Sequence, residues 1–180
     1  MKQIAALLQG VNLAGNRRVS MPALRDHLTE LGYEDVATYV ASGNVILASS
    51  VTPQKLERDL TRQISEWSGA EIPVLVRTHS ELATIVKRDP FGSVVDNPAR
   101  YQVSFLSKSP PAAVRRELNQ ADLAPERVEV HGREIYAWHP NGIGRSKLAS
   151  LLTSKRLGVV VTARNWKTVA KLVELTAAGS

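Results

Sequence analysis

Residues Leu7–Leu47 read LLQGVNLAGNRRVSMPALRDHLTELGYEDVATYVASGNVIL, and this stretch decides the fold. It opens inside a short apolar segment, Gln3–Gln9, which is bounded by Gly10 and predicts a buried strand. A loop with the turn formers Gly10, Asn12, Gly15 and Asn16 follows. Ser20 is an N-cap ahead of Pro22, which a first helical turn tolerates because its missing N–H has no intrahelical acceptor there. Met21, Leu24, Leu28 and Leu31 share one helical face, and Gly32 supplies the stop. Val36–Val40 alternates as a strand, and Ala41–Asn44 turns it back into Val45, Ile46 and Leu47. Strand, helix and hairpin in this order begin a split βαβ unit.

The chain on either side completes that unit and then repeats it. Thr52 and Pro53 start a second helix with Leu56, Leu60, Ile64 and Trp67 inward and Gly69 as its end. Pro73–Arg77 is a strand, and Ser80 is expected to cap a short extra helix that stops at Asp89-Pro90. Asp89–Arg100 is the one long connection, so the halves are placed at residues 1–90 and 91–180. In the second half Tyr101–Leu106 is a strand, and Ser109-Pro110-Pro111 opens a helix bearing Val114, Leu118 and Ala121. Arg127–Val130 and Glu134–Trp138 flank a turn at His131-Gly132-Arg133. A helix from about Ser146, a strand through Val159–Val161 and a helix from about Arg164 follow. That last helix is expected to bury Trp166, Val169, Ala170, Val173 and Ala177. The expected fold class is therefore α+β: a tandem duplication of ferredoxin-like βαββαβ units, with helices packed on antiparallel sheets. The repeat is read as one of pattern, without residue-level identity.

Composition narrows the function classes. The 180 residues include no Cys, which excludes disulfides, thiolate metal sites and Cys nucleophiles. No apolar run approaches the roughly 20 residues needed to span a bilayer, and Ile4–Leu8 is too short for a signal segment, so a cytoplasmic protein is expected. The four histidines, His27, His79, His131 and His139, show no metal spacing and are read as surface or helix residues. No metal or cofactor is expected. Charge is concentrated: Ile135–Val173 contains seven basic residues and no Asp or Glu, in a chain whose formal net charge is +6.

Three runs resemble one bacterial family, domain of unknown function 1697. They are Leu7–Leu47 as quoted, PNGIGRSK (Pro140–Lys147) and VTARNWKTVAKLVEL (Val161–Leu175), accompanied by the less specific DPFG and VSFL. The resemblance spans nearly the whole chain and implies a tandem ferredoxin-like fold with no established activity. Members commonly carry Arg where this chain has Gln9, so any role of that Arg does not transfer.

The candidate ligand residues are those an anion would need. Gly142, Gly144, Arg145, Ser146 and Lys147 place glycines, backbone N–H groups and charge at a helix start. The run lacks the GxxxxGK[ST] spacing of a phosphate-binding P-loop. Arg164, Asn165 and Lys167 are expected at the start of the last helix, where two cations oppose the macrodipole unless an anion is near. Asn12, Arg17 and Arg18 lie in the first loop, and Asn44 closes the first hairpin.

The leading expectation is a protein that binds an anionic ligand (nucleic acid, nucleotide or phosphorylated metabolite) through a basic surface. The open-sheet RNA-binding version of this fold needs aromatics on its central strands, and the first half's QIAALLQ and VIL have none. One alternative is an enzyme acting on a phosphate or acyl-phosphate. Gln9–Val11 resembles the acylphosphatase loop, and in that case Arg17 would hold the phosphate and Asn44 would orient water. The other alternative is a protein-interaction module with a basic face.

Overall fold

The computed structural model describes residues 1–13 and 17–177. Gly15 and Asn16, read above as turn formers, lie outside the described residues. The chain divides into two units, Met1–Ala83 with Leu172–Ser180, and Thr84–Lys171.

Unit 1 runs β1 (Lys2–Leu8), α1 (Met21–Glu30), β2 (Glu34–Tyr39), β3 (Asn44–Ser49), α2 (Pro53–Ser68) and β4 (Val74–Thr78), followed by α3 (His79–Arg88). Its antiparallel sheet has the order β2-β3-β1-β4, the ferredoxin-like arrangement. The helix starts form where cap chemistry demands them. Ser20 Oγ accepts the Ala23 N–H, and Thr52 Oγ1 accepts the Lys55 N–H. Alternate strand residues (Ile4, Ala6, Leu8, Val45, Leu47, Val74 and Val76) face Leu24 and Leu28 of α1 and Leu56, Leu60 and Ile64 of α2. Burying each large aliphatic side chain contributes about 1.5–3 kcal/mol. The cap of α3 is Thr78 rather than Ser80: its Oγ1 accepts the Glu81 N–H while Glu81 Oε2 takes the Thr78 N–H at 2.8 Å. This T-x-x-E capping box satisfies two amides reciprocally, which places the helix start two residues earlier than expected.

Unit 2 contains β5 (Tyr101–Leu106), α4 (Ala112–Gln120), β6 (Arg127–His131) and β7 (Glu134–Trp138). A 3₁₀ turn at Ile143–Arg145, α5 (Lys147–Leu151), α6 (Ser154–Leu157) and β8 (Val161–Asn165) complete the sheet, which has the order β6-β7-β5-β8. α7 (Trp166–Ala177) follows β8, and its last residues cluster with unit 1. The second crossover is thus a broken one. Thr153 recaps the chain after α5, its Oγ1 accepting the Arg156 N–H at 3.3 Å, and Gly158 ends α6 in the left-handed region.

Two expectations for this segment are corrected. The strand lies later than Val159–Val161, so Arg164 and Asn165 belong to β8 and not to the first turn of a helix. Cross-strand pairing decides it, with Val103 opposite Arg164 and Gln102 opposite Asn165. The buried stripe of α7 is also rotated. Thr168, Val169, Leu172 and Thr176 are inside, and Ala177 is exposed.

The register reveals a repeat at the level of single residues. Ile4 pairs with Thr78 in unit 1, and Gln102 pairs with Asn165 in unit 2, so VLVRT and VTARN occupy corresponding positions. Thr78 and Asn165 both cap the following helix. Arg77 and Arg164 are both buried, and each donates from Nη1 to the carbonyl of the preceding residue, at 2.9 and 2.8 Å. Burial pushes the Arg164 guanidinium down to about 10, still charged at neutral pH.

Candidate functional site

The run after β7 is shaped from within. His139 is 0% exposed, with Nδ1 2.8 Å from Ser146 Oγ and 3.3 Å from Glu126 Oε1. Its reading as a surface or helix residue is therefore corrected: it is a buried loop residue that holds the turn. Glu126 Oε2 accepts the Leu148 N–H at 2.9 Å, and Ser146 Oγ accepts the Ala149 N–H at 2.8 Å. These are first-turn amides of α5, the groups an anion would otherwise bind. The anion at this helix start is the chain's own Glu126. Burial works to raise the Glu126 carboxyl, but hydrogen bonds from Ser146, the Leu148 amide and His139 outweigh it and hold the carboxyl below its usual range. Burial lowers His139, and the nearby Glu126 only partly offsets this, so the imidazole stays neutral at pH 7.

Ser146, His139 and Glu126 contain the residue types of a hydrolase triad without its geometry. A serine relay needs the hydroxyl on Nε2 and the acid on Nδ1. Here both meet Nδ1, and Nε2 is buried without a hydrogen-bond partner. The cluster is a scaffold that turns its neighbours outward. Gly142 adopts φ 87° and donates its N–H to the His139 carbonyl at 2.9 Å. Gly144, Arg145 and Lys147 are exposed, and Lys147 Nζ reaches the Asp122 carbonyl at 2.8 Å.

These exposed cations have company. Unit 2 carries fifteen basic and seven acidic residues, of which twelve and three are exposed. The helices over its sheet, α4, α5 and α6, share one apolar layer through Val114, Leu118, Leu151, Leu152 and Leu157. Arg115, Arg116, Arg145, Lys147, Lys155 and Arg156 stand exposed on this layer and its lead-in turn, and none is in an ion pair among the described residues. Lys167, on the first turn of α7, is exposed as well. Arg164 is not part of this surface; it is 5% exposed and bonds Thr162 Oγ1 at 2.7 Å. Asn165 Oδ1 accepts the Thr168 N–H at 2.9 Å and is thereby committed to the cap.

The opposite face of this sheet does carry aromatics on its central strands: Tyr101, Phe105, Tyr136 and Trp138. Sequence reasoning weighed only the first half for such residues and missed them, although YQVSFL and EIYAW show the period-two pattern. They are 0–5% exposed. Tyr136 donates its hydroxyl to the Ile85 carbonyl at 3.1 Å, and burial pushes it up to about 12. Tyr101 lies between Phe91 and Trp166, with ring centroids at 6.0 and 4.6 Å. Base stacking on this face, the RNA-recognition use of the fold, is closed off.

In unit 1 the first loop and the hairpin turn are brought together. Asn12 donates to the carbonyls of Val19 and Ala41 at 2.9 and 2.8 Å and accepts the Val19 N–H at 2.8 Å. Asn44 is 0% exposed and donates to the Tyr39 carbonyl and Ser42 Oγ, locking its turn. Both amides therefore hold backbone. A side chain on Gly43 would meet Val11 Cγ2 at 2.5 Å, which with φ 88° restricts the position to glycine. Asn12, Arg17 and Val40 also have positive φ, a concentration of strained backbone at one end of this sheet. Arg17 and Arg18 are exposed beside it. Among the described residues no group of acidic and histidine side chains could hold a metal ion, and no helix is long and apolar enough to cross a membrane.

The profile of a family described as Protein of unknown function (DUF1697) matches residues 1–136. No curated protein matches the chain. Among solved structures, a conserved bacterial protein from Streptococcus pneumoniae is similar, at 21% identity and a TM-score of 0.75, over 98% of this chain and 99% of that one. At that identity the likeness speaks for the fold alone.

Proposed function

The chain belongs to the family described as Protein of unknown function (DUF1697), and from that premise we propose that its second unit binds a polyanion, with nucleic acid as the partner its chemistry fits. The observation that carries this reading is the imbalance of twelve exposed cations against three exposed carboxylates on unit 2. Where basic side chains face solvent without carboxylate partners, a phosphate backbone gains Coulombic contacts and releases its own counterions. The amides at the start of α5 are already taken, so the contact is made by side-chain charge and is indifferent to base sequence. α5 and α6 lie beyond the matched residues 1–136, so this reading rests on the chain's own surface. Binding of labelled 20-nucleotide single and double strands at low salt tests it. Both bind, with little preference among sequences; absence of uptake of either would remove the reading.

A further inference from the structure

We propose that unit 1 holds a second, separate site: a cleft that binds a planar nitrogen heterocycle of purine size bearing an amino or N–H donor. The cleft has a volume of about 450 Å³ and lies between Met1, Lys2 and Gln3 on one side and the β4–α3 junction (Thr78, His79, Ser80) on the other, with Thr176 of α7 also lining it. That volume falls within the roughly 300–1,000 Å³ of small-molecule sites.

The internal repeat says what is missing there. The strand registers put Gln3 in the place of Tyr101 and His79 in the place of Trp166. In unit 2 those two positions form a stack, with centroids 4.6 Å apart and planes inclined by 15°. Unit 1 has an amide and an imidazole instead, and a cleft where its sibling has packed rings.

The groups left behind are polar and oriented. Thr176 Oγ1 donates its single proton to the Leu172 carbonyl at 2.7 Å, so it meets His79 Nδ1, 3.1 Å away, as an acceptor. Neutral His79 therefore carries its proton on Nδ1 and leaves Nε2 as an acceptor, with no hydrogen-bond partner among the described residues. Gln3 Nε2 donates to Asp35 Oδ2 at 3.1 Å, which draws its amide toward β2, and its Oε1 is shut from solvent, so Gln3 opens the slot by its small size and offers no hydrogen bond to a ligand. One acceptor, His79 Nε2, and an open slot beside its imidazole ring fit a flat ligand that stacks and donates a hydrogen bond. The site is independent of the basic surface of unit 2.

Adenosine, which is uncharged, is the probe. Calorimetric titration of the full chain gives saturable binding that 0.5 M salt leaves unchanged. The double variant Gln3→Tyr/His79→Trp, which transplants the rings of unit 2, weakens it at least tenfold. Should that variant fail to fold, the wild-type His79 ring nitrogens report by NMR, and the Nε2 signal shifts on saturation while those of the other histidines stay in place. No saturable binding to the wild type, equal binding by a folded double variant, or an unmoved His79 signal would each overturn the proposal.

Discussion

The two units share one plan and differ in charge. In unit 1, seven exposed cations are matched by seven exposed carboxylates, and three of the cations pair locally: Arg25 with Asp26, Lys55 with Asp59 and Arg62 with Glu66. In unit 2, twelve exposed cations face three carboxylates, and the helix layer that is balanced in unit 1 is basic. Packing explains neither distribution, because both cores are built from the same alternation of strand residues against leucine-bearing helices. Duplicated architecture thus constrains the buried positions and leaves the solvent face free to diverge. Exposed pairs such as those of unit 1 contribute little to stability. An unpaired cationic layer, by contrast, produces a field that reaches about a Debye length into solvent.

The sharpest way to break this contrast is to move charge. Reversing Arg115, Arg116, Lys155 and Arg156 to Glu reduces nucleic-acid affinity on the order of 100-fold, whereas reversing Arg25 and Arg62 of unit 1 has little effect. Equal losses from both sets, read by fluorescence anisotropy, would refute the asymmetry. Next in size is Asn12→Ala. It removes three hydrogen bonds in unit 1 and places Ala at φ 54°, for an expected loss of about 2–3 kcal/mol in denaturant unfolding. Among the described residues, unit 2 has no such amide staple.

The two corresponding caps should behave alike. Thr78→Ala and Asn165→Ala each cost about 1 kcal/mol, and a gap much larger than that in calorimetric melting would show that the residue-level repeat is superficial. The smallest effect concerns His139. Its folded pKa lies below its unfolded one, so the unfolded chain binds more protons below about pH 6.5, and stability falls as pH drops through that range. The lowered Glu126 acts in the same direction at more acidic pH. NMR titration should place His139 below the usual histidine range, and Glu126→Gln should lower it further by removing the charge that favours imidazolium. A midpoint at or above the usual value contradicts the buried-scaffold account.

Much of this architecture was legible in the sequence because local chemistry and burial agreed. Ser20, Thr52, Gly69 and the Leu56–Leu60–Ile64 stripe each carry a signal that the structure repeats. Legibility failed where tertiary pairing overrode local pattern. Val159–Val161 looks more strand-like than Thr162–Asn165, yet β8 is placed by its partner β5, and this turned Arg164 from an expected surface cation into a buried one. For the site, exposure of Arg145, Lys147 and Lys167 followed from charge density. The burial of His139 and its bonds to Ser146 and Glu126 did not, because Glu126 lies thirteen residues before His139 and only the hairpin brings them together. Asn12 and Asn44 show the limit from the other side: an amide in a Gly-rich loop suits a ligand or a backbone carbonyl equally, and only the folded chain distinguishes them.

The most direct test of the charge asymmetry is the salt dependence of nucleic-acid binding by the full chain. Neutralising about five phosphates predicts that affinity falls roughly 10²- to 10³-fold between 50 and 200 mM salt, on a straight line in log–log coordinates. An affinity that stays level across that range would contradict a polyanion surface on unit 2.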